Sequence, residues 1–181
     1  MKKIIALFLP LFLLVACGEE DDAKLLSEKY RSAPSISIDA EIRAEFSDRS
    51  DVYRVTYDYE RGTDAKVKVI SPATIAGIEA TIDETSATLK FKDTVLETGM
   101  DMNVPTPMNV IHKLVKVWSF NDMSQIGSEG DLILLVFQDG EHEYRTTFNE
   151  EYMPISAEIM FNSKLIMKID FLKCEGANYD N

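Results

Sequence analysis

Apolar and polar residues alternate strictly over much of the chain. Residues 36–46 are apolar at every even position and polar at every odd position, which predicts a long β-strand with one buried face. Residues 52–60 follow the same period, and four of their side chains share one face: Tyr53, Val55, Tyr57 and Tyr59. A turn at residues 61–63 and a third alternating stretch indicate that consecutive strands run antiparallel.

Further short extended segments follow, separated by turn residues. The predicted strands are 36–46, 52–60, 64–71, 78–83, 87–94, 132–138, 141–149, 153–161 and 164–173. Residues 132–138 are apolar on both faces, so we expect this strand to lie centrally and to be covered on both sides. Asp139-Gly140 is a two-residue hairpin signal, and Asn162-Ser163 separates the last two strands.

One broad apolar helix interrupts this pattern at residues 107–120. Thr106 suits the helix cap and Pro107 suits the first helical position. The helical spacing predicts a polar stripe of Asn109, His112, Lys113 and Lys116, and an apolar stripe of Met108, Ile111, Leu114, Val115 and Trp118 that Val110 and Val117 widen. About eight or nine strands with one main helix predict a mostly antiparallel α+β fold, in which a curved sheet closes on the helix.

The N-terminal segment has the features of an export signal. Lys2 and Lys3 precede residues 4–16, which are apolar apart from Pro10 and are too short to span a bilayer as a helix. The sequence Leu14-Val15-Ala16-Cys17 resembles the bacterial lipobox, in which the cysteine thiol receives a diacylglycerol. The resemblance implies a signal peptide at 1–16, acylation of Cys17 and possible N-acylation. The alternative is an ordinary signal peptide whose cysteine is incidental.

The predicted organisation places one domain on a tether. Residues 17–34 form the lipidated tether, with a short helix at 23–31 that has Leu25, Leu26 and Tyr30 on one side. Residues 35–175 form the folded domain, and residues 176–181 form a flexible tail. About nineteen residues separate Cys17 from the first strand and, if extended, would span up to about 65 Å. The chain is then exported and anchored to the outer leaflet of the cytoplasmic membrane, or to the outer membrane if the host has one.

Charge and cysteine content exclude some partners. The chain has 19 basic and 31 acidic residues and a net charge of −12. Without residues 1–16, which hold two lysines, the net charge is −14. An acidic chain with no basic cluster repels phosphate backbones, so nucleic acid is an unexpected partner. If Cys17 is acylated, Cys174 is the one remaining thiol and cannot form an internal disulfide.

The sequence offers little for catalysis. It contains no nucleophile elbow, zinc-protease motif, Gly-rich phosphate loop or Cys-x-x-Cys motif, so we expect no enzyme, metal or cofactor. His112 falls on the polar stripe and is expected to be solvated. His142 lies between Glu141 and Glu143, but neighbours in a strand point to opposite faces, which disfavours a carboxylate-supported base.

Apolar residues with adaptable side chains, several of them methionines, concentrate around the main helix in the sequence. Methionine adapts to irregular ligands, and a curved sheet under one helix either packs solid or leaves a slot for an acyl chain. The candidate ligand-binding residues are Met100, Met102, Met108, Ile111, Leu114, Val115, Trp118 and Phe120. For any one of these residues, the alternative role is ordinary core packing.

Three stretches carry a family resemblance. They are DVYRVTYDYERGTDAKVKVISP, EATIDETSATLKFKD and YMPISAEIMFNSKLIMKIDF, all within residues 36–172. Their order of strands and breaks resembles the LolA/LolB-like lipoprotein carrier superfamily. The resemblance implies an incomplete β-barrel, or half-barrel, whose concave face holds acyl chains. Related lipidated germination proteins support a cell-wall enzyme. The two functions implied are therefore binding of a lipid or other hydrophobic ligand, and binding of an envelope protein while the cavity is only core.

Overall fold

Eleven strands and two helices make up the computed structural model, which describes residues 19–83, 86–98, 103–120 and 123–176. The elements are α1 (Glu19–Ser32), β1 (Ser35–Glu45), β2 (Ser50–Glu60), β3 (Ala65–Ser71), β4 (Glu79–Ile82), β5 (Ala87–Phe91), β6 (Thr94–Thr98), α2 (Val110–Phe120), β7 (Met123–Glu129), β8 (Leu132–Asp139), β9 (His142–Phe148), β10 (Pro154–Phe161) and β11 (Lys164–Glu175). This composition confirms the predicted mostly antiparallel fold with helical cover.

The strands form one antiparallel sheet in the order β6-β5-β4-β3-β2-β1-β11-β10-β9-β8-β7. Successive hairpins lead outward from the central pair β1 and β11 to the edges β6 and β7. The sheet is curved and does not close, so it is an open half-barrel. Because α2 connects the two edge strands, its chain must cross from one side of the sheet to the other.

The core lies between one face of the sheet and the helices. In β1, Ile36, Ile38, Ala40 and Ile42 are buried while the odd-numbered residues between them are at least partly exposed, as the alternation predicts. Trp118 of α2 is fully buried, and its indole Nε1–H donates to Thr146 Oγ1 over 3.1 Å. Nearly all of α2 is buried, not only its apolar stripe.

The start of α2 follows the predicted cap with a small shift. The regular helix begins at Val110, three residues after the predicted start. The Val110 N–H donates to the Thr106 carbonyl over 2.9 Å, and the Thr106 N–H donates to Asn109 Oδ1 over 2.7 Å. Thr106 therefore occupies the cap, and residues 107–109 form the first turn.

Helix α1, which lies in the segment expected to form a tether with a short helix, packs against the folded domain. Leu26 and Tyr30 are buried in the core, whereas Leu25 is 46% exposed. Ser27 Oγ donates to the Ser119 carbonyl of α2 over 2.7 Å, and Tyr30 OH donates to the Tyr152 carbonyl over 2.9 Å. These contacts dock α1 on the domain, so residues 19–32 do not extend freely before the first strand.

The expectation of eight or nine strands was too low at the sheet edges. Residues 87–94 were predicted as one strand. The structure has two strands from residue 87 onward, β5 and β6, which form a hairpin, and it has the strand β7, which was not predicted. The sequence of β7, MSQIGSE, has no alternation, so periodicity could not identify this strand.

Strand β8 is also placed differently from its prediction. It lies beside the edge strand β7, so central placement is wrong, and Leu132 and Leu134 are exposed, so its first half is not covered on both faces. Leu135, Val136 and Phe137 are all buried, and since consecutive side chains in a strand point to opposite faces, both faces of β8 are covered at this end. Among the described residues, no helix is long and apolar enough to cross a membrane.

Candidate functional site

A cavity of about 800 Å³ lies between α2 and one half of the sheet. Its walls come from the end of α1, from β2 to β4 with the β2–β3 turn, and from α2. The lining residues are Tyr30, Arg31, Tyr57, Tyr59, Gly62, Thr63, Asp64, Ala65, Ile82, Asp83, His112, Val115, Lys116, Ser119 and Phe120. Its volume is within the roughly 300–1,000 Å³ of small-molecule sites.

One stripe of α2 forms the helix wall of this cavity. His112, Val115, Lys116 and Ser119 line it, and their spacing of three and four residues places them on one side of the helix. The neighbouring stripe of Ile111, Leu114 and Trp118 is fully buried in the core. The cavity therefore meets the stripe that the sequence marked as polar at His112 and Lys116.

The sheet wall is aromatic at β2. Tyr57 and Tyr59 belong to the face of β2 that the alternation predicts to be buried, and both line the cavity. Gly62 has a φ of +81°, a conformation that favours glycine, and it turns the chain so that Thr63 and Asp64 also reach the cavity. The wall thus combines apolar rings with phenol hydroxyls.

His112 is buried, so the expectation of a solvated side chain is wrong. Its exposed fraction is 8%, and its Nδ1 lies 3.3 Å from Tyr57 OH. Its Nε2 is buried and has no hydrogen-bond partner among the described residues. Burial lowers the pKa of His112 to about 4, and the charges of Lys116 and Lys113 act in the same direction, so the imidazole is neutral at pH 7.

Tyr57 supports this neutral pair. Burial raises its pKa above the ordinary value, with a further contribution from Tyr59, so its hydroxyl stays protonated. A neutral imidazole and a phenol can exchange hydrogen bonds in either direction, depending on the tautomer. The pair can therefore orient a polar ligand group, but it supplies neither a charged acid nor a strong base.

Charged side chains surround the cavity, with cations on one wall and anions on the other. Arg31 and Lys116 extend from the two helices, whereas Asp64 and Asp83 extend from the sheet side, and all four are exposed. The helix side is thus basic and the sheet side acidic. A ligand with a charged end is therefore attracted to the wall of opposite charge.

The predicted ligand-binding residues fall into three groups. Val115 and Phe120 line the cavity, and Phe120 is 71% exposed. Ile111, Leu114 and Trp118 are buried in the core, and Met108 is half-buried against it. Met100 and Met102 lie outside the described residues, and so does Cys17, the predicted lipidation site.

The remaining candidates for chemistry lie elsewhere. His142 is partly exposed, with its ring centroid 5.1 Å from that of Phe161, and it does not line the cavity. Cys174 lies near the end of β11, and burial raises the pKa of its thiol to about 11. Within the described part of the chain, no three His, Cys, Asp or Glu side chains are grouped to hold a metal ion.

Sequence reasoning missed Arg31, Tyr57, Tyr59 and Asp64 as cavity residues. The periodicity had placed the tyrosines correctly on one face. It did not show that the cavity would lie over this half of the sheet, because that depends on where α2 crosses.

The fold is LolA-like. A LolA superfamily protein from Nitrosomonas europaea superposes with a TM-score of 0.51 at 11% identity, covering 88% of this chain and 94% of that chain. A putative outer membrane lipoprotein-sorting protein domain from Vibrio parahaemolyticus gives 0.46 at 9% identity, covering 86% and 89%. A chain from the complex of the CwlD amidase with the GerS lipoprotein of Clostridioides difficile gives 0.44 at 15% identity, covering 100% and 98%. No family model and no curated protein matches this chain.

Proposed function

We propose that this protein is a membrane-anchored envelope lipoprotein that binds a lipid or other hydrophobic ligand without chemical conversion. The ligand lies between α2 and strands β2 to β4. The cavity of about 800 Å³ with a mixed apolar and polar lining is the observation that carries the proposal. Such a lining suits a molecule with a long apolar part and a polar end.

The exposed ring of Phe120 supports an apolar ligand. Phe120 ends α2 and lines the cavity, yet 71% of it is exposed. Leaving a large apolar side chain in water forgoes the roughly 1.5–3 kcal/mol that its burial can supply. An acyl chain entering beside Phe120 would cover part of this ring, so the ligand gains affinity from it.

Acylation of Cys17 would place the cavity close to the membrane. Glu19, the first residue of α1, is two positions after Cys17, a stretch of chain that spans at most about 7 Å. The 14 residues of α1 add about 21 Å, and Tyr30 and Arg31 near its end line the cavity. The anchor and the cavity are therefore within about 30 Å along this path, which allows exchange with the membrane that holds the protein.

Native mass spectrometry tests ligand binding. The sample is the full chain carrying Cys17→Ala, which removes the expected anchor. It is incubated with palmitate or phosphatidylglycerol in nonionic detergent, and the micelles are then removed in the mass spectrometer. We expect one ligand per chain. Phe120→Ser reduces the bound fraction several-fold, and Phe46→Ser, at another exposed phenylalanine outside the cavity lining, leaves it unchanged.

A cavity-filling variant provides the second arm. Val115→Phe adds volume to the helix wall without adding charge, and its melting temperature reports whether the fold is kept. A folded Val115→Phe protein should lose the ligand. If the wild-type chain retains neither ligand, or if filling the cavity leaves retention unchanged, ligand binding at this site is wrong.

A specific observation also favours the second function, binding of an envelope protein. Val95 and Leu96, in the edge strand β6, are 59% and 58% exposed. An edge strand with exposed apolar side chains is a surface on which another chain can pair. The partner would then be an envelope factor such as a cell-wall enzyme.

Affinity capture from envelope extract tests this second function. The wild-type chain is compared with a Val95→Ser, Leu96→Ser double variant and with Leu172→Ser, an exposed leucine in the central strand β11. A partner of β6 is an identified envelope protein that the double variant loses and the Leu172 variant keeps. Equal recovery with all three proteins would exclude β6 as the docking surface.

A further inference from the structure

We infer that the ligand of this cavity is an anionic amphiphile whose head group binds at His112 and Lys116 on the helix wall, with its apolar chain toward Val115 and Phe120. This inference rests on the proposed ligand binding. It adds the charge of the ligand and the direction in which it lies. The shared chemistry is a carboxylate or phosphate head on a long chain.

The unpaired nitrogen of His112 indicates a polar ligand group. His112 lines the cavity and is more than nine-tenths buried. One ring nitrogen is engaged by Tyr57 OH at 3.3 Å, whereas Nε2 has no partner among the described residues. A buried polar atom without a partner is costly. In the tautomer in which Nδ1 accepts from Tyr57, Nε2–H is a donor that an anionic oxygen satisfies.

The positive charge of Lys116 favours a negatively charged ligand group at this position. Lys116 lies four residues after His112 on the same stripe, so the two side chains are neighbours across one helical turn. Burial lowers the pKa of His112, and the charges of Lys116 and Lys113 act in the same direction. An anion near both residues is attracted by the ammonium and accepts the imidazole N–H.

The remaining charges are compatible with this orientation. Arg31 adds a second cation on the helix side. Asp64 and Asp83 are on the sheet side and repel an anion from that wall. Val115 lies beside the head-group position on the same stripe, and Phe120 lies one helical turn beyond Lys116, so these two side chains offer the apolar contact. The wall thus favours an anion at the helix and an apolar chain along it.

Competition between ligands with the same chain isolates the head group. Palmitate, hexadecyl phosphate and hexadecanol compete for the full chain carrying Cys17→Ala, and bound species are counted by native mass spectrometry. We expect each anion to bind about tenfold more tightly than the alcohol, as one charge-assisted hydrogen bond supplies. The ratio of palmitate to hexadecyl phosphate distinguishes a carboxylate from a phosphate head.

Two variants and one control assign the preference to residues. Lys116→Gln should reduce the anion-to-alcohol ratio to about two or less, while hexadecanol binding is retained. His112→Phe should reduce the ratio in the same way. Lys24→Gln, at an exposed lysine of α1 outside the cavity lining, should keep the wild-type ratio.

A spectroscopic readout separates direct contact from an effect on folding. The imidazole of His112 is followed by NMR during pH titration, and bound palmitate should raise its pKa while hexadecanol should not. If all three ligands bind equally and Lys116→Gln changes nothing, the head-group assignment is wrong while ligand binding itself stands. If none of the three ligands binds, the proposed function itself is wrong.

Discussion

The side chain of His112 shows that a helical stripe identifies neighbours but not what covers them. Asn109, His112, Lys113 and Lys116 share a polar stripe in the sequence, yet the first three are buried and Lys116 alone is exposed. Helix α2 is covered on several sides by the sheet and by α1, so a polar stripe does not have to face water. Periodicity depends on local geometry, whereas burial depends on residues far away in sequence.

The buried neutral state of His112 makes stability depend on pH. Its pKa is about 4 in the folded chain, below the ordinary value of 6.5. The unfolded chain therefore takes up the proton first as the pH falls, and stability is lost from about pH 6.5 down to about pH 4. We expect His112 to account for a loss of about 2–3 kcal/mol in the free energy of unfolding between pH 7 and pH 4.5.

Urea unfolding at the two pH values measures this loss. His112→Phe removes the titrating group, so the variant should lose about 2–3 kcal/mol less than the wild type on acidification. His142→Asn serves as the control, because it leaves His112 in place and should keep that part of the pH dependence. An identical pH dependence in wild type and His112→Phe would show that His112 is not held neutral.

The hydrogen bond between Trp118 and Thr146 gives a second prediction for a single side chain. Thr146→Val keeps the shape of the side chain but leaves the buried indole N–H without the acceptor that lies 3.1 Å away. We expect a loss of about 1–3 kcal/mol in the free energy of unfolding, measured in urea. The adjacent Thr147→Val, at a half-buried position on the other side of β9, should change it by less than about 1 kcal/mol. Equal losses at both positions would show that the indole bond is not the cause.

Among the elements, α1 is the one whose role the sequence understated. The prediction identified a short helix with Leu26 and Tyr30 on one side, and both are buried. It did not identify the docking, because the partners Ser119 and Tyr152 are about 90 and 120 residues away. Local apolar spacing shows that a helix has a side to bury, but not which surface receives it.

Two adjacent leucines of α1 test whether this helix is part of the cooperative fold. Leu26→Ala removes a fully buried side chain and should cost about 2–5 kcal/mol in unfolding free energy. Leu25→Ala, at a position that is 46% exposed, should cost about 0.5 kcal/mol. Urea unfolding followed by far-UV circular dichroism measures both. A loss below 1 kcal/mol for Leu26→Ala would show that α1 unfolds independently of the sheet.

The central strands were predictable and the edge strands were not. Alternation identified β1 to β3 and the hairpin of β10 and β11 within one or two residues, because these strands have two neighbours and one buried face. At β6 and β7 a strand has one neighbour, and the pattern of the sequence weakens accordingly. Strand β8 has two neighbours, but its continuous apolar run did not show that Leu132 and Leu134 would be exposed next to β7.

For the whole molecule, the cavity depends on elements that are distant in sequence. The wall residues come from positions 30–31, 57–65, 82–83 and 112–120, and they meet because β1 pairs with β11 at the centre while α2 joins the outer edges. Of the predicted ligand-binding residues that the structure describes, Val115 and Phe120 line the cavity, whereas Ile111, Leu114 and Trp118 pack in the core. Composition and periodicity limit what each segment can do, and only the topology determines which segments share a space.

At the scale of the whole molecule, the lipobox resemblance predicts that Cys17 is acylated and that this acylation holds the protein at a membrane. Metabolic labelling with an alkyne palmitate should mark the wild-type chain, and Cys17→Ala should lose the label and leave the membrane fraction, since two acyl chains anchor a protein far more firmly than one. Cys174→Ala is the matched control, because that thiol lies near the end of β11 and burial raises its pKa to about 11. It should keep both the label and the membrane association. Label that persists in Cys17→Ala, or that is lost with Cys174, would place the acyl chain elsewhere and would remove the short path from anchor to cavity along α1.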